Sequence, residues 1–239
     1  MSISAVIFDW GGTLTPWHPI DVATTWRAYA AAAAPADAQT IAAALLAAEL
    51  EAWAGVRDHQ VSSTFADILA AAGVDLHEEA VAAYLAAWEP HTFTDPDVPD
   101  LLESLRQRGI RVGVLSNTLW PRAWHERFFE RDGVLDLFDG GVYTSELPHT
   151  KPHEYAFRAA MAAIGVDDPA TCVFVGDRPF DDVSGAQALG MRTIFVPHSD
   201  IPAEQQVPVD VRPDAVVDRL SEIIDHVDAW LGATVERTG

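Results

Sequence analysis

Val6-Ile7-Phe8-Asp9-Trp10-Gly11-Gly12-Thr13-Leu14-Thr15 is an apolar run that stops abruptly at an acid, two glycines and a threonine. Ser4 to Phe8, mostly apolar and rich in β-branched residues, reads as a short strand buried on both faces. An acid at the carboxyl end of a buried parallel strand stands where open α/β sheets build their active sites. Gly11 and Gly12 let the chain fold tightly there and bring backbone N–H groups close to an anion. Alone, the stretch reads equally well as a strand-ending turn capped by an aspartate. Three later stretches decide between the two.

The chain of 239 residues has room for one domain with a sizeable insertion, and its 49% hydrophobic content is that of a globular protein. A net charge of −21 argues against a nucleic-acid backbone or an anionic membrane surface as partner. It also means that any phosphate site needs a local cation. Cys172 is the single cysteine, so an intrachain disulfide is excluded and a reducing compartment is expected. Its apolar surroundings suggest a small buried hydrophobe. The first residues show no basic n-region or cleavage site, and the Ala-rich segments are broken by Asp, Glu and Pro. The expected location is the cytoplasm.

After Thr15 and the connector Pro16-Trp17-His18-Pro19, helical signals dominate to Trp88. Helices are expected over Thr24 to Ala34 and Thr40 to Ala54, the second stopped by Gly55. A third runs from a cap at Ser62 or Ser63 to Ala72, and a fourth from an Asp75–Glu78 capping box to Trp88. Glu89 to Pro99, with three prolines and three acids, reads as the return linker. Beyond it the α/β alternation sets in. Strands are expected at Ile110–Leu115, Gly141–Thr144, Cys172–Val175, Arg192–Val196 and Ala215–Val217. Helices are expected at Leu101–Arg108, Pro121–Glu130, His153–Ile164, Asp182–Leu189 and Arg219–Leu231.

Polar groups then fall at strand ends or nearby loops in a fixed order: Asp9, Ser116-Asn117, Lys151, and Asp177 with Asp181 and Asp182. This ordered set resembles the haloacid dehalogenase-like hydrolase superfamily over nearly the whole chain. The motif Asp-x-x-Gly-Thr matches Asp9 to Thr13, and a Ser or Thr ending an apolar strand matches Ser116. Lys-Pro matches Lys151-Pro152, and Gly-Asp with a second Asp five residues on matches Gly176-Asp177 and Asp182. The resemblance implies a doubly wound, mostly parallel Rossmann-like sheet for residues 1–15 and 96–239. It places an all-helical cap at residues 16–95, between the first two motifs.

The residue chemistry stands beside the resemblance. A carboxylate can attack phosphorus and split one displacement into two, which makes Asp9 the candidate nucleophile. Its charge opposes an incoming phosphate, so a hard cation and a lysine are needed. Asp177 with Asp182 supplies the oxygen ligands Mg²⁺ favours, with Asp181 the less expected partner. The resemblance adds Asp9 itself and the Gly11 carbonyl to the metal set. It has Lys151, Ser116, Asn117, Gly12 and Thr13 hold the phosphoryl oxygens. Lys151 is the only lysine among the 15 Lys and Arg residues. Arginine is the default cation of this chain, so one retained lysine points to function.

The pattern departs from the family at Gly11. Most phosphatases of the group carry there a second aspartate, which protonates the leaving oxygen and later activates water. Phosphonoacetaldehyde hydrolases need a cap lysine, which this chain lacks. Haloacid dehalogenases use an aromatic residue at this position and no metal, and they lack the Gly-Asp of the fourth motif. Three readings stay open: a Mg²⁺-dependent phosphohydrolase of a small phosphorylated metabolite, a catalytically weak binder of a phosphorylated ligand or partner, and a dehalogenase-like hydrolase. His18, His149 and His153 are candidates for a replacement acid. Trp10, Trp17 and Trp120 are candidates for an aromatic substrate wall, with Trp26, Trp53 and Trp88 expected in the cap core. Arg122 and Arg178 are possible anion contacts.

Overall fold

The computed structural model describes residues 2–16, 20–197 and 206–235. Among them, six strands form one parallel sheet: β1 (Ala5–Phe8), β2 (Arg111–Ser116), β3 (Gly140–Tyr143), β4 (Cys172–Gly176), β5 (Arg192–Phe195) and β6 (Ala215–Val216). Their order is β3-β2-β1-β4-β5-β6, so the winding direction reverses between β1 and β4. That reversal opens a crevice at the carboxyl ends of these two strands, the place where such sheets bind ligands. Asp9 and Asp177, the residues that follow the two strands, stand at its edge. Phe8 pairs in register with Val175 and Val114, so the three strands end within two residues of one another.

Burial on both faces follows from the alternation of β1. Val6 and Phe8 face a core that contains Leu101, Leu105, Phe129, Ile223 and Val227. These come from α5 (Val98–Gln107), α6 (Arg122–Arg131) and α9 (Ile223–Val235). Ala5 and Ile7 face the other layer, with Phe157 and Met161 of α7 (Glu154–Ala163) and Ala186 of α8 (Gly185–Ala188). The sheet is therefore doubly wound, as the sequence suggests. Cys172 is fully buried within this second layer, and burial pushes its thiol pKa up to about 11.

Residues 22–88 contain four helices and no strand pairing with the sheet: α1 (Val22–Ala33), α2 (Ala38–His59), α3 (Phe65–Ala71) and α4 (Glu78–Trp88). They share a core of Trp26, Tyr29, Leu45, Phe65, Ile68 and Tyr84. The first two helices each start two residues earlier than expected, and three other ends differ for clear physical reasons. Helix α2 runs through Gly55 and stops at Gln60, which takes the left-handed conformation at φ 55°. Helix α3 is capped by Thr64 rather than Ser62 or Ser63. Only Thr64 has an acid three residues on, and Asp67 closes a reciprocal capping box with it. Helix α4 starts after His77 without a side-chain cap; Asp75 lies outside the helix, its carbonyl accepting from Tyr29 Oη at 3.0 Å. The helix expected from Asp182 instead begins as a π-helical turn, Pro179–Ser184. Trp53, expected in the cap core, is 36% exposed. No helix among the described residues is long and apolar enough to cross a membrane.

One charge lies within the helical block's core. Glu49 accepts from Trp26 Nε1 at 2.5 Å and from Trp53 Nε1 at 3.3 Å. Burial raises its pKa above the ordinary 4.5, with the two indole N–H groups opposing. An acid raised in the folded state holds its proton where the unfolded chain has lost it. Its contribution to stability is therefore complete below pH 4.5 and declines as pH rises through the folded value. Glu49→Gln should remove this slope: urea unfolding midpoints should show the variant gaining on wild type between pH 4.5 and neutrality. A constant difference across that range would show that Glu49 does not titrate with folding.

Candidate active site

The site is built from the ends of β1, β2 and β4 and from the loop before α7. Asp9 continues β1, its N–H donating to the Val175 carbonyl at 2.9 Å. Gly11 to Thr15 then form a tight turn in which the Thr15 and Thr13 N–H groups donate to the Trp10 carbonyl at 2.9 and 3.3 Å. Gly12 has φ +90°, and a Cβ there would collide with the Asp177 carboxylate. A side chain on Gly176 would likewise strike Asp182. These two glycines are the space into which the acids pack. Gly11 differs from them: its backbone is outside the left-handed region and a Cβ would meet nothing within 4 Å.

Lys151 binds the parts together. Its Nζ donates to Asp9 Oδ1 at 2.6 Å and to Asp182 Oδ1 at 2.7 Å, with all three side chains buried. Its backbone is fixed by Asn117, whose Oδ1 accepts from Lys151 N at 2.8 Å while its Nδ2 donates to the Lys151 carbonyl at 3.1 Å. The following peptide, Lys151-Pro152, is cis. Burial acts against the ammonium, but Asp182 and Asp9 outweigh it and hold its pKa above the usual value. Burial pushes Asp182 upward, aided by Asp9 and opposed by Lys151. Asp182 Oδ2 is also held by the Arg178 N–H at 2.9 Å.

Asp9, Asp177 and Asp182 each offer an oxygen within 4.8 Å of the others. Three buried carboxylates outnumber the single ammonium between them, and an all-oxygen donor set suits a hard divalent cation. The residues present thus fit a Mg²⁺ site. Asp181 is not part of this cluster and lies half-buried beside it. Ser116 ends β2, buried, and Thr13 is buried within the turn with its hydroxyl unpartnered.

Other candidates are placed elsewhere. His149 Nδ1 meets the Gln60 carbonyl at 3.3 Å, and His153 Nδ1 caps α7 by accepting from Tyr155 N at 3.1 Å. The two imidazoles stack 4.0 Å apart. Arg122 pairs with Glu146 at 2.7 Å and Glu126 at 3.2 Å, which occupies it away from any anion. His18 and Trp17 lie outside the described residues. Trp10 and Trp120 pack together, ring centres 5.8 Å apart, within an aromatic cluster between the helical block and the sheet.

Two features escaped the sequence reading. Gln60 to Phe65 straps onto both loops of the site. The Gln60 carbonyl accepts from Thr150 N at 3.1 Å, Ser62 N donates to Pro148 O at 3.3 Å, and Phe65 N donates to Leu119 O at 2.6 Å. Nothing in the local sequence signals this. His125, wholly buried against Trp10 and Tyr143, was legible in principle. It stands three and four residues before Phe128 and Phe129, on the apolar face of α6.

A buried acid bridged by an ammonium to a second acid, with a third beside them, at the switch point of a Rossmann-like sheet, defines an α/β enzyme built for an anionic centre. Residues 3–190 match the family model of haloacid dehalogenase-like hydrolases, and the chain belongs to that family. It is 30% identical over 159 residues to a glyceraldehyde 3-phosphate phosphatase of Methanopyrus kandleri, covering 65% of this chain and 67% of that protein. It is 28% identical to an N-acetylmuramic acid 6-phosphate phosphatase of Pseudomonas aeruginosa, over 97% of both. Among solved structures it resembles a phosphatase of the same family from Thermococcus onnurineus, with TM-score 0.69, 22% identity and coverage of 94% and 98%. It also resembles the L-2-haloacid dehalogenase of Xanthobacter autotrophicus, with TM-score 0.63, 21% identity and coverage of 95% and 98%.

The two glycines of the turn should respond oppositely to a methyl group. Gly12→Ala should lower stability by about 1–3 kcal/mol through its left-handed backbone and the collision with Asp177. Gly11→Ala should stay within about 1 kcal/mol of wild type. Thermal unfolding of the two variants checks this; equal midpoints would contradict the packing described.

Proposed function

We propose that the protein is a Mg²⁺-dependent phosphohydrolase of a small phosphorylated metabolite, working through an aspartyl-phosphate on Asp9. The observation that carries this reading is the Lys151 ammonium bridging Asp9 and Asp182 beside Asp177. Held by the Lys151 ammonium, Asp9 is restrained in one orientation, ready to attack. One Asp9 oxygen forms a bond to phosphorus while the bond to the leaving oxygen breaks, that oxygen keeping the electron pair. Water then attacks the phosphorus of the acyl phosphate, releasing inorganic phosphate and restoring the carboxylate. Lys151 offsets the charge of the nucleophile and of the phosphoryl oxygens, while the Ser116 hydroxyl and the unpartnered Thr13 hydroxyl donate to those oxygens. The Gly12 and Thr13 N–H groups are taken within the turn by the Thr15 and Trp10 carbonyls, and the Asn117 side chain is taken by the Lys151 backbone, so these groups act by shaping the site. Asp9, the Gly11 carbonyl, Asp177 and Asp182 would hold Mg²⁺. When bound, the ion supplies charge neutralisation at the phosphoryl group.

The named phosphatases among the relatives support phosphate monoesters as the substrate class. The acid cluster favours this reading over a dehalogenase, whose chemistry on carbon needs no metal. We further propose that residues 16–95 act as a cap on the core formed by residues 1–15 and 96–239, laid over the site through the Gln60–Phe65 strap.

Mg²⁺ titration by calorimetry should give a binding signal in wild type that disappears in Asp177→Ala; equal affinities would reject the metal assignment.

Gly11 supplies neither proton nor base, so the rate should depend steeply on the leaving group. Aryl and acyl phosphates, whose leaving groups depart as anions, should be cleaved far faster than alkyl phosphates. Loss of a positioned acid costs about a hundredfold to ten-thousandfold. Gly11→Asp should recover part of that factor on alkyl phosphates, because its Cβ enters open space. Asp9→Asn should abolish turnover in both backgrounds. If wild type cleaves alkyl and aryl phosphates equally, another residue is the acid, and His18 is the first to mutate. If neither wild type nor Gly11→Asp exceeds Asp9→Asn on any substrate, the protein is a binder rather than a phosphohydrolase.

A further inference from the structure

We propose that Trp120 is a positioning residue: its indole seats the helices of residues 22–88 over Asp9 and so governs how tightly substrate is held. The proposal rests on the phosphohydrolase reading for its kinetic readout only. Trp120 lies on the loop that begins with Ser116-Asn117, and its main chain is fixed by the core. Its N–H donates to Thr118 Oγ1 at 3.0 Å, and its carbonyl accepts from the Ser145 hydroxyl at 2.6 Å. Thr118 Oγ1 is braced in turn by His125 Nε2 at 3.0 Å. Burial holds the His125 pKa down to about 3, so this support stays neutral at working pH.

From that fixed base the side chain reaches the helical block. Nε1 donates to the Tyr84 hydroxyl on α4 at 3.1 Å, and the ring meets Trp88 edge-on at 5.0 Å. On its other side the ring lies 5.8 Å from Trp10, the residue next to Asp9. The cap's α3 lands on the adjacent residue, Phe65 N donating to Leu119 O at 2.6 Å. Leu119 and Trp120 together form the socket into which α3 and α4 plug. Apolar packing here is non-directional and tolerates sliding, whereas the buried indole–phenol bond has one geometry. Losing it lowers the population of the seated state, which weakens apparent affinity by the same fraction, and in Tyr84→Phe it also leaves the buried Trp120 indole N–H unmatched.

The test uses Trp120→Phe, Tyr84→Phe and the double variant, assayed with p-nitrophenyl phosphate and Mg²⁺ alongside hydrogen exchange on the same proteins. Tyr84→Phe, a near-isosteric change, guards against a Trp120 variant that fails to fold. Each single change should raise KM by about five- to tenfold with kcat within about twofold. The double variant should be no worse than the poorer single, because one bond is lost in all three. Exchange at the Phe65 amide should speed up while β1 and β4 stay protected. A residue that only fills space would lower the melting temperature and leave KM and this amide unchanged, and that result would overturn the proposal. So would a loss confined to kcat. If wild type does not hydrolyse the ester, the phosphohydrolase reading fails, and the exchange measurement still decides the role of Trp120.

Discussion

The structure of the site depends on one ammonium. Lys151 Nζ is almost wholly buried and reaches two carboxylates, Asp9 and Asp182, at 2.6 and 2.7 Å. Without it, Asp9 and Asp182 would be buried charges facing one another, an arrangement that costs several kcal/mol, on the order of 3–5 when one partner of a buried pair is removed. Without them, the ammonium would lose its charge to burial. The three groups are stable only as a set, and they come from positions 9, 151 and 182 of the chain. The Asn117 side chain closes the set from a fourth place by gripping both the N–H and the carbonyl of Lys151. A carboxylate held this way is pinned by groups from separate parts of the chain, and the sheet beneath them fixes their spacing.

The sheet supplies that spacing by ending its central strands within two residues of one another. Parallel pairing of Phe8 with Val114 and Val175 delivers Asp9 and Asp177 to the same edge, with Ser116 alongside. The acids then need volume, and the fold gives it by omitting side chains at Gly12 and Gly176. Gly11 belongs to a different category. It has room for a side chain and no backbone need for glycine, so its identity is a matter of chemistry rather than of packing. The turn would hold the acid that most phosphatases of this family carry there. Glycine at position 11 is therefore not the by-product of a tighter fold.

Much of this was legible in the sequence because buried parallel strands are short, apolar and sharply bounded. Each of β1, β2 and β4 ends at a polar residue that the hydrophobic pattern cannot absorb: Asp9, Ser116 and Asp177. Helix ends were less legible. Ser62, Ser63 and Thr64 are all competent caps, and only the position of Asp67 selects the third. Asp75 and Glu78 have capping-box spacing, yet tertiary structure uses the Asp75 carbonyl for the Tyr29 hydroxyl and the helix starts later. Gly55 looked like a stop because an isolated helix pays for glycine, whereas α2 is held through that point by packing on either side. The aromatic seam was legible only in part: Trp10 and Trp120 stand near strand ends, but their contact with each other and with Tyr84 was not. Trp10, Tyr84 and Trp120 are far apart in the chain, and no local rule says that they meet.

That seam bears on how the helical block is joined to the rest of the chain. Its apolar core is not closed by its own residues: Leu119, Trp120 and Phe128 of the other half are buried within the same cluster, and Trp10 touches both cores. Swinging the block away as a rigid body would return these side chains to water, at roughly 1.5–3 kcal/mol for each large apolar group. Several such groups together make wide opening a rare state on the scale of a protein's whole stability. The Gln60–Phe65 strap is held differently, by a few main-chain hydrogen bonds to Pro148, Thr150 and Leu119, each worth about 0.5–1.5 kcal/mol net. Of the two contacts over the site the strap is the weaker. The strap can therefore lift from the loops of Asn117 and Lys151 without breaking the aromatic core.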